Sequence, residues 1–492
     1  MVFSAMVPAA IVFLLTPLIG RVFCGYICPM GTTLDFGGKI FGFREKAPPQ
    51  GGRLLSLKYL LLVFIFGAAI LGVSLVFLAA PLSLITRFYG LLIHSILAHL
   101  LDMGLNLLRP LADKWDMTTI SMAQIKPPRF STQYFILIFF GCLFILSGLS
   151  LRLWCRYLCP TGALLALLSK KPVVRRRVSD VCTACGACQK SCPMKAIPDD
   201  SPESTRYREC IVCHTCRKIC PVNAITFSVT PRKNKGHSEG QSIMIPRRAF
   251  LQAGVAGVAT ASVSLSGLNS LYGKPGPGQV PVPGLIRPPA SLPEMDFLSR
   301  CVRCGECISV CPTNTLQPIW FKGGFIGLFS PAITPRRGFC NPECHQCAAV
   351  CPTGAISKLS KDERLWAKTG TAVILRERCL AWEHQKSCMV CDEVCPFKAV
   401  EFNFQPKNPV PVPRVREDRC AGCGYCEHYC PVQNRAAIIV SAMSAIRLTR
   451  GSYRAQGELQ GLKLALKPKG DAGAPYPETP LTEGPAPGFT DD

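Results

Sequence analysis

Acidic residues are scarce in this sequence of 492 residues: 31 Asp or Glu stand against 55 Lys or Arg, a formal net charge of +24. Charged residues make up only 17% of the chain and hydrophobic residues 48%, which is too apolar for an ordinary soluble protein of this length. The sequence has no Walker loop, no glycine-rich dinucleotide fingerprint after a strand and no hydrolase triad. No aromatic residues alternate with a basic patch, so the charge does not indicate nucleic-acid binding. These absences leave membrane topology as the explanation of the basic excess.

Cysteine, by contrast, is abundant. Of the 29 cysteines, 24 form six quartets that each end in Cys-Pro. The spacing is C-x2-C-x2-C-x3-C-P, except that the first gap gains one residue in the fourth quartet and is stretched to eight residues in the fifth. In chain order the quartets are Cys182, Cys185, Cys188 and Cys192; Cys210, Cys213, Cys216 and Cys220; Cys301, Cys304, Cys307 and Cys311; Cys340, Cys344, Cys347 and Cys351; Cys379, Cys388, Cys391 and Cys395; Cys420, Cys423, Cys426 and Cys430.

This spacing is that of bacterial ferredoxins, where three thiolates on one loop and a fourth from a neighbouring quartet hold a [4Fe–4S] cluster. Zinc ribbons use two separated C-x2-C knuckles, and a disulfide framework leaves six copies of one spacing unexplained, so both alternatives are disfavoured. A short apolar segment follows each quartet, as the two-fold symmetric ferredoxin fold requires. The sequence therefore predicts six [4Fe–4S] clusters in α+β bacterial-ferredoxin-like domains, one with two clusters and one with four.

The order of the quartets predicts which ones exchange their fourth cysteines. For the first two, Cys220 is expected to complete the Cys182, Cys185 and Cys188 set, and Cys192 the Cys210, Cys213 and Cys216 set. For the last four, the favoured arrangement is nested, the third quartet with the sixth and the fourth with the fifth. Sequential pairing stays open as the alternative.

Three uncharged runs occupy residues 1–20, 59–80 and 131–150. Each is long enough to cross about 30 Å of hydrocarbon, although a buried core helix has the same composition. A further apolar run, Phe88–Leu101, is shorter and contains His94 and His99, so we expect an interfacial or re-entrant helix there and not a span. The fold class predicted for residues 1–165 is an α-helical membrane domain.

Charge and a twin-arginine motif predict the topology. Residues 152–235 hold 16 Lys or Arg against five Asp or Glu, which places the two-cluster domain (residues 166–235) in the cytoplasm of a bacterium. Arg247 and Arg248, followed by Phe250 and Leu251 and an uncharged stretch, fit the twin-arginine export pattern, with a plain span or a soluble helix as alternatives. Residues 236–273 are thus expected to lead the chain across the inner membrane. The periplasmic part would then comprise a Pro/Gly linker (274–295), a four-cluster domain (296–446) and a disordered tail (447–492).

Two further cysteine pairs have the spacing C-x-x-x-C-P, each directly after an apolar run: Cys24 with Cys28, and Cys155 with Cys159. Cysteines four residues apart share one face of a helix, and the proline then stops or bends it. Two such helix ends side by side would present four thiolates for a metal ion or a small cluster. A thiol redox pair and a purely structural turn are the alternatives. The remaining Cys142 lies in an apolar run, where a thiol behaves as a small hydrophobe.

These motifs carry a resemblance. Residues 1–225 resemble the NapH-type membrane polyferredoxin of the periplasmic nitrate reductase system, which is related to NosR, and residues 243–446 resemble the exported NapG/MauM-type ferredoxin. The chain thus looks like a natural fusion of the two. The resemblance implies a quinol dehydrogenase component that hands electrons to a periplasmic acceptor such as a multihaem cytochrome or a reductase. It carries over the 24 quartet cysteines and the two C-x-x-x-C-P pairs. NapH-type proteins usually have one more span before the first pair than this sequence shows.

The leading functional hypothesis is therefore a membrane-anchored protein that oxidises quinol and passes electrons along iron–sulfur clusters. His94, His99 and Asp102 are the candidate quinol site, because they lie in the one apolar segment that has titratable groups. The alternative is that these histidines merely cap an interfacial helix. A second hypothesis is a maturation factor that supplies electrons for cofactor assembly in a periplasmic oxidoreductase. A third keeps both ferredoxin domains in the cytoplasm, docked to a soluble dehydrogenase.

Overall fold

The computed structural model describes residues 2–40, 52–115, 127–148, 152–229, 245–265, 285–406 and 408–466, together with the single residues 117, 125 and 150. The apolar runs of the N-terminal part form helices, because each lacks the glycine and proline clusters that would end one. These helices are α1 (Val2–Ile19), α2 (Pro29–Ile40), α3 (Gly52–Ile70), α4 (Pro81–Lys114), α5 (Gln133–Ser147) and α6 (Pro160–Leu168).

Helix α4 has 34 residues and is, within the part of the chain that the structure describes, the one helix long and apolar enough to cross a membrane. The predicted interfacial helix over Phe88–Leu101 is therefore wrong in its extent, because this run lies inside α4, where a π-helical turn at Phe88–Ile93 joins two α-helical parts. The predicted run 59–80 is instead divided. Helix α3 ends at Ile70, and Gly72 then adopts a φ of +77°, which glycine takes without strain.

The first two quartets lie in a small domain closed by an antiparallel ladder of β1 (Val174–Val178) and β2 (Ile225–Val229). Each quartet loop runs into a single-turn helix, α7 (Ala187–Lys190) and α8 (Thr215–Lys218). The two single-turn helices pack together, so the two loops face each other across the domain.

A buried ion cluster fixes this domain to the N-terminal helices. Lys58 of α3 donates hydrogen bonds from Nζ to both carboxylate oxygens of Glu209, at 2.7 and 2.6 Å, and the Arg21 guanidinium lies 3.8 Å away. All three side chains are at most 3% exposed. Because buried charges are costly unless they are paired, this cluster specifies how the domain sits on the helices.

Helix α9 (Arg247–Leu265) runs parallel to α3. Ile245, just before α9, packs beside the Tyr59 and Leu62 cluster, whereas Gly254 and Gly257 lie farther along α3, against Gly67 and Phe64. A Cβ on Gly257 would be 2.1 Å from the carbonyl oxygen of Phe64, so only glycine permits this approach. Close contact through small residues is typical of helix pairs in membranes. The chain thereby passes from the two-cluster domain towards the C-terminal region.

The C-terminal region contains short elements between the cysteine loops. Its helices are α10 (Glu294–Arg300), α11 (Glu306–Ser309), α12 (Gln346–Ala349), α13 (Lys361–Trp366), α14 (Val390–Glu393), α15 (Tyr425–Tyr429) and α16 (Tyr453–Leu459). Its strands are β3 (Leu316–Pro318), β4 (Pro331–Ile333), β5 (Thr371–Ile374), β6 (Val400–Gln405), β7 (Asn408–Val415) and β8 (Ile438–Ser441), and the antiparallel pairs are β3 with β4, β5 with β8 and β6 with β7.

Antiparallel pairing divides this region into two units built like the two-cluster domain. Strand β5 precedes the fifth quartet and pairs with β8, which follows the sixth. A bridge between Ser291 and Ile356 likewise closes the segment that contains the third and fourth quartets. In all three places, the segments before and after two successive quartets pair with each other.

The linker and the tail are shorter than the sequence predicts. Residues 285–293, predicted as linker, pack into the C-terminal region, where Arg287 is 1% exposed and forms an ion pair with Glu294 at 2.6 Å. In the predicted tail, Tyr453 and Leu462 are buried and α16 packs on α13. The Pro/Gly-rich composition of both ranges gave no indication of these few buried residues. Residues 274–284 and 467–492 lie outside the described residues.

Candidate functional site: seven groups of cysteine thiols

The two-cluster domain groups its eight thiols into two sets around separate cavities. One cavity is lined by Cys182, Cys185, Cys188 and Cys220, and the other by Cys192, Cys210, Cys213 and Cys216. The fourth cysteine of each quartet thus lies with the first three of the other, which is the exchange that the sequence predicts.

The C-terminal region pairs its quartets sequentially, so the predicted nested pairing is wrong. Cys351 lies with Cys301, Cys304 and Cys307, while Cys311 lies with the fourth quartet, Cys340, Cys344 and Cys347. The other two sets line one cavity each: Cys379, Cys388, Cys391 and Cys430 in one, and Cys395, Cys420, Cys423 and Cys426 in the other. The physical reason is local, because each pair of antiparallel segments encloses two quartets that are adjacent in sequence.

The surroundings of these thiols fit a role as thiolate ligands of an iron–sulfur cluster. Burial raises the pKa of Cys347 and of Cys391 to about 12, so positive charge is needed to hold them as thiolates at neutral pH. Backbone N–H groups donate to several sulfur atoms, such as Ala399 to Cys395 at 3.3 Å. At Cys340, burial likewise raises the pKa and Arg364 opposes it, donating from Nη2 to the sulfur at 3.1 Å.

The sets are arranged in succession. The Cys304 carbonyl accepts a hydrogen bond from Thr86 of α4 at 3.1 Å, so the set of Cys301, Cys304, Cys307 and Cys351 is placed against the N-terminal helices. Farther from the helices, the N–H of Cys340 donates to the carbonyl of Cys423 at 2.8 Å. This bond joins the set that contains Cys340 to the set that contains Cys423. The set that contains Cys423 and the set that contains Cys391 lie in the same unit, because the fifth and sixth quartets exchange Cys395 and Cys430. The four sets are thus connected one to the next, beginning at the N-terminal helices.

The two C-x-x-x-C-P pairs come together as a seventh group. The first cysteine of each pair lies in a π-helical turn, Phe23–Ile27 or Trp154–Leu158, and the second directly follows that turn. The thiol of Cys155 lies near those of Cys24, Cys28 and Cys159. Within the described residues, no three His, Cys, Asp or Glu side chains converge closely enough for a single metal ion. Four neighbouring thiols at this wider spacing fit a multi-iron cluster better than the single ion that the sequence left open.

Two arginines complete this four-thiol site in a pseudo-symmetric way, and the sequence reasoning missed both. Arg21 extends to Gly162, next to the second pair, where a Cβ would be 2.8 Å from Nη2. Arg152 extends to Gly31, next to the first pair, and donates to the Cys24 carbonyl at 3.2 Å. The signal was present as a repeat, R-x-x-C-x-x-x-C-P-x-G, in both copies.

The four-thiol site adjoins the two-cluster domain. Gly25 packs against Ile211, whose carbonyl oxygen would be 2.5 Å from a Cβ at that position, and Gly20 packs against Val212. Both contacts lie in the loop that contains Cys210 and Cys213. The set of Cys192, Cys210, Cys213 and Cys216 is therefore the neighbour of the four-thiol site.

Comparisons with known proteins give the same chemistry. Residues 1–48 and 132–179, which contain the two C-x-x-x-C-P pairs, match a family described as a 4Fe-4S binding domain. Residues 181–225 match a 4Fe-4S dicluster domain and residues 297–317 a further 4Fe-4S binding domain.

Curated relatives identify the chain. It is 35% identical over 191 residues to the methylamine utilization ferredoxin-type protein MauM of Methylobacillus flagellatus, covering 37% of this chain and 79% of the relative. Identity to MauM of Paracoccus denitrificans is 39%, over 32% of this chain and 70% of the relative. Identity to the ferredoxin-type protein NapG of Escherichia coli is 34%, over 36% and 78%. The chain belongs to the MauM/NapG family. It is a ferredoxin-type electron-transfer protein with multiple [4Fe–4S] clusters bound through its cysteines.

The predicted quinol residues of this MauM/NapG-type protein do not form one group. His94 lines an open cleft of about 490 Å³ between α4 and the C-terminal region, but neither His99 nor Asp102 lines it. The carboxylate of Asp102 instead accepts a hydrogen bond from Asn106 at 3.5 Å, on an exposed part of α4. Only the first of the three predicted residues is placed near a thiol set.

Proposed function

We propose that this protein is anchored in the inner membrane of a bacterium, oxidises quinol and passes the electrons to a periplasmic redox partner. The observation that carries the proposal is the position of the thiol sets along the α3 and α9 pair. The two-cluster domain lies at the start of this pair, where Glu209 binds Lys58, and Arg303 donates from Nη1 to the Ser74 carbonyl at 3.1 Å just beyond its end. Parallel helices between two cluster-bearing regions are the arrangement expected if the chain crosses a bilayer there.

Membrane anchoring is supported by the apolar helices. Besides α4, three shorter apolar helices occur at Val7–Ile19, Leu54–Ile70 and Gln133–Ser147. Their outer faces carry exposed apolar side chains, such as Leu14 at 70% and Ile138 at 65%, which water would not favour. In the proposed topology residues 166–240 are cytoplasmic and residues 274–492 periplasmic, with the multihaem cytochrome or reductase that accepts the electrons on the periplasmic side.

Seven [4Fe–4S] clusters are proposed. Six would be held by the quartets in the groupings above, and the seventh by Cys24, Cys28, Cys155 and Cys159. Such clusters supply one-electron redox chemistry over a wide range of potentials. The chain's own residues bury the thiols, aim N–H groups at the sulfur atoms and keep neighbouring sets in contact.

The test is electron paramagnetic resonance (EPR) on the anaerobically purified full chain, before and after a reduced quinol analogue is added. New signals of reduced clusters are expected with quinol, and dithionite gives the total that can be reduced. Signals with dithionite but none with quinol would contradict quinol oxidation. For the topology, a reporter fused after Met443 is expected to be active in the periplasm. Activity confined to the cytoplasm would instead support docking of a soluble dehydrogenase.

A maturation role is the second candidate, and it is raised by the resemblance to MauM. The MauM relatives are named for methylamine utilization, and at 35% and 39% identity they resemble this chain at least as much as NapG does. In that role the clusters would reduce a client protein during cofactor assembly. Deletion of the gene followed by supply of mature client distinguishes the two, because an assembly factor then becomes dispensable whereas a respiratory component does not.

A further inference from the structure

The open cleft beside His94 is formed jointly by the two parts of the chain. From the helical part come Pro29 of α2 and several residues of α4, and from the C-terminal region comes the α11 segment. The polar residues of its lining are Thr86, Tyr89, His94, Glu306 and Ser309. Its volume of about 490 Å³ lies in the range of small-molecule sites, which is about 300–1,000 Å³.

The cleft lies between two thiol sets. Glu306 lies between Cys304 and Cys307 in the sequence, so one wall is the loop of the nearest set in the C-terminal region. Pro29 directly follows Cys28, so the opposite wall adjoins the four-thiol site. A molecule in the cleft would therefore be close to electron acceptors on both sides.

The polar groups of the cleft are few and fixed. The hydroxyls of Tyr89 and Thr33 are hydrogen-bonded, 3.0 Å apart, and this bond holds the Tyr89 ring at the wall. His94 lies on the next turn of α4. The hydroxyls of Thr86 and Ser309 donate to the backbone carbonyls of Cys304 and Glu306. The Tyr89 hydroxyl, the His94 imidazole and the Glu306 carboxylate are the other polar groups of the lining, and beside the apolar side chains they suit a ring that bears two hydroxyl groups.

The mouth of the cleft continues into an apolar stripe. Tyr89, Ile93 and Leu97 follow one another at intervals of four residues and so share a face of α4. They are 48%, 37% and 52% exposed. A ligand with a polar head and a long apolar tail would place its head in the cleft and its tail along this stripe, in the hydrocarbon of the bilayer.

We propose that this cleft binds the head group of an isoprenoid quinol, with His94 and Tyr89 as its polar contacts. The inference rests on the proposed quinol oxidation and deepens it: the site needs both parts of the chain and does not include His99 or Asp102. Oxidation of one quinol to quinone releases two electrons and two protons. The electrons would leave singly past the Glu306 loop, one each to the [4Fe–4S] clusters that the set with Cys307 and the neighbouring set with Cys347 would hold. One proton goes to the His94 imidazole and one to water in the open cleft.

Binding is tested first, with the full chain in detergent and a fluorescent quinol analogue, a hydroxyquinoline N-oxide, whose emission is quenched when it binds. We expect His94→Gln and Tyr89→Phe each to weaken binding about tenfold, as the loss of one hydrogen bond implies. Gly90→Leu places a large side chain in the cleft and should abolish binding. Tyr134→Phe is the matched control, because Tyr134 is 79% exposed on α5, and it should bind like the unaltered protein.

The second readout is cluster reduction by quinol, with the dithionite spectrum and iron content as checks that each variant has folded. If unaltered protein is reduced by quinol, but His94→Gln, Tyr89→Phe and Gly90→Leu bind and react as it does, the cleft is not the site while the proposed function stands. A loss with His99→Gln equal to that with His94→Gln would also overturn the assignment. If the unaltered protein binds the analogue yet is not reduced, quinol oxidation fails and the cleft remains a quinol-binding site.

Discussion

The quartet sets and the four-thiol site reach the same chemistry by different routes. In a quartet set, three thiols come from one loop and the fourth from the adjacent quartet, so short-range spacing names nearly all the ligands. In the four-thiol site, two thiols come from residues 24–28 and two from residues 155–159, and helix packing brings them together. The difference teaches that the spacing of cysteines within one segment predicts the kind of group they bind. Which segments supply the remaining cysteines of a site depends on how the segments pack.

The largest expected effect tests the site that depends on packing. Cys155→Ser should remove the whole cluster at the four-thiol site, because each pair supplies only two ligands, and iron content should fall by about four atoms per chain. Chemical iron analysis and EPR of the reduced protein measure this. Cys142→Ser is the matched control, since Cys142 is exposed on α5 and belongs to neither pair. Equal iron in both variants would contradict a cluster at this site.

The next effect distinguishes sequential from nested pairing in the C-terminal region. Cys307 and Cys351 lie in one set, so the double variant Cys307→Ser with Cys351→Ser should lose about four iron atoms, no more than either single variant. Cys391 lies in another set, so Cys351→Ser with Cys391→Ser should lose about eight. Nested pairing gives about four for the second double variant, and iron analysis separates the two outcomes.

The same contrast explains which features of the thiol sets could be predicted from the sequence. The quartets, the exchange of Cys192 and Cys220, and the ferredoxin chemistry follow from spacing alone. The sequential pairing does not, because it depends on β5 pairing with β8 and on the Ser291–Ile356 bridge, which have no spacing signature.

At the candidate quinol site, sequence reasoning found His94 because it is a rare titratable group in an apolar run. It also included His99, which does not line the cleft that His94 shares with Tyr89. Tyr89 and Glu306 were missed, since only the fold brings α4 and α11 together. The ranges 285–293 and 447–466 were assigned to a linker and a tail on average composition, although Arg287 and Tyr453 are buried anchors.

A third prediction concerns the helix pair that connects the two cluster-bearing regions. Gly257→Leu should destabilise the protein by about 3 kcal/mol, because its side chain would collide with the backbone of Phe64 in α3. Gly141→Leu is the control, because a Cβ there meets nothing within 4 Å. Thermal unfolding in detergent measures both variants. A midpoint for Gly257→Leu equal to that of the control would mean that α3 and α9 are not packed in this way.

The smallest expected effect is a shift in potential at a single quartet set. Arg364 donates to the sulfur of Cys340 at 3.1 Å and also to the carbonyl of Cys344 at 2.9 Å. A cation beside a thiolate stabilises the reduced, more negative cluster. Arg364→Gln should therefore lower the reduction potential of the cluster held with Cys340. A charge-assisted hydrogen bond of about 1.5 kcal/mol corresponds to a shift on the order of 60 mV for one electron.

Redox titration followed by EPR measures this shift, with iron content as the check that the cluster is still bound. Arg416→Gln is the matched control, because Arg416 is exposed and pairs with Asp418 and Glu401 instead of a sulfur. Arg364→Lys retains the charge but loses the planar group that reaches two acceptors. The reduction potential of its cluster should therefore lie between that of the unaltered protein and that of Arg364→Gln. An unchanged potential in Arg364→Gln would mean that burial and backbone N–H groups alone set the potential of this cluster. The reduction potential of this quartet set would then be set by its own loops, whereas the four-thiol site has Arg21 and Arg152 beside its two cysteine pairs.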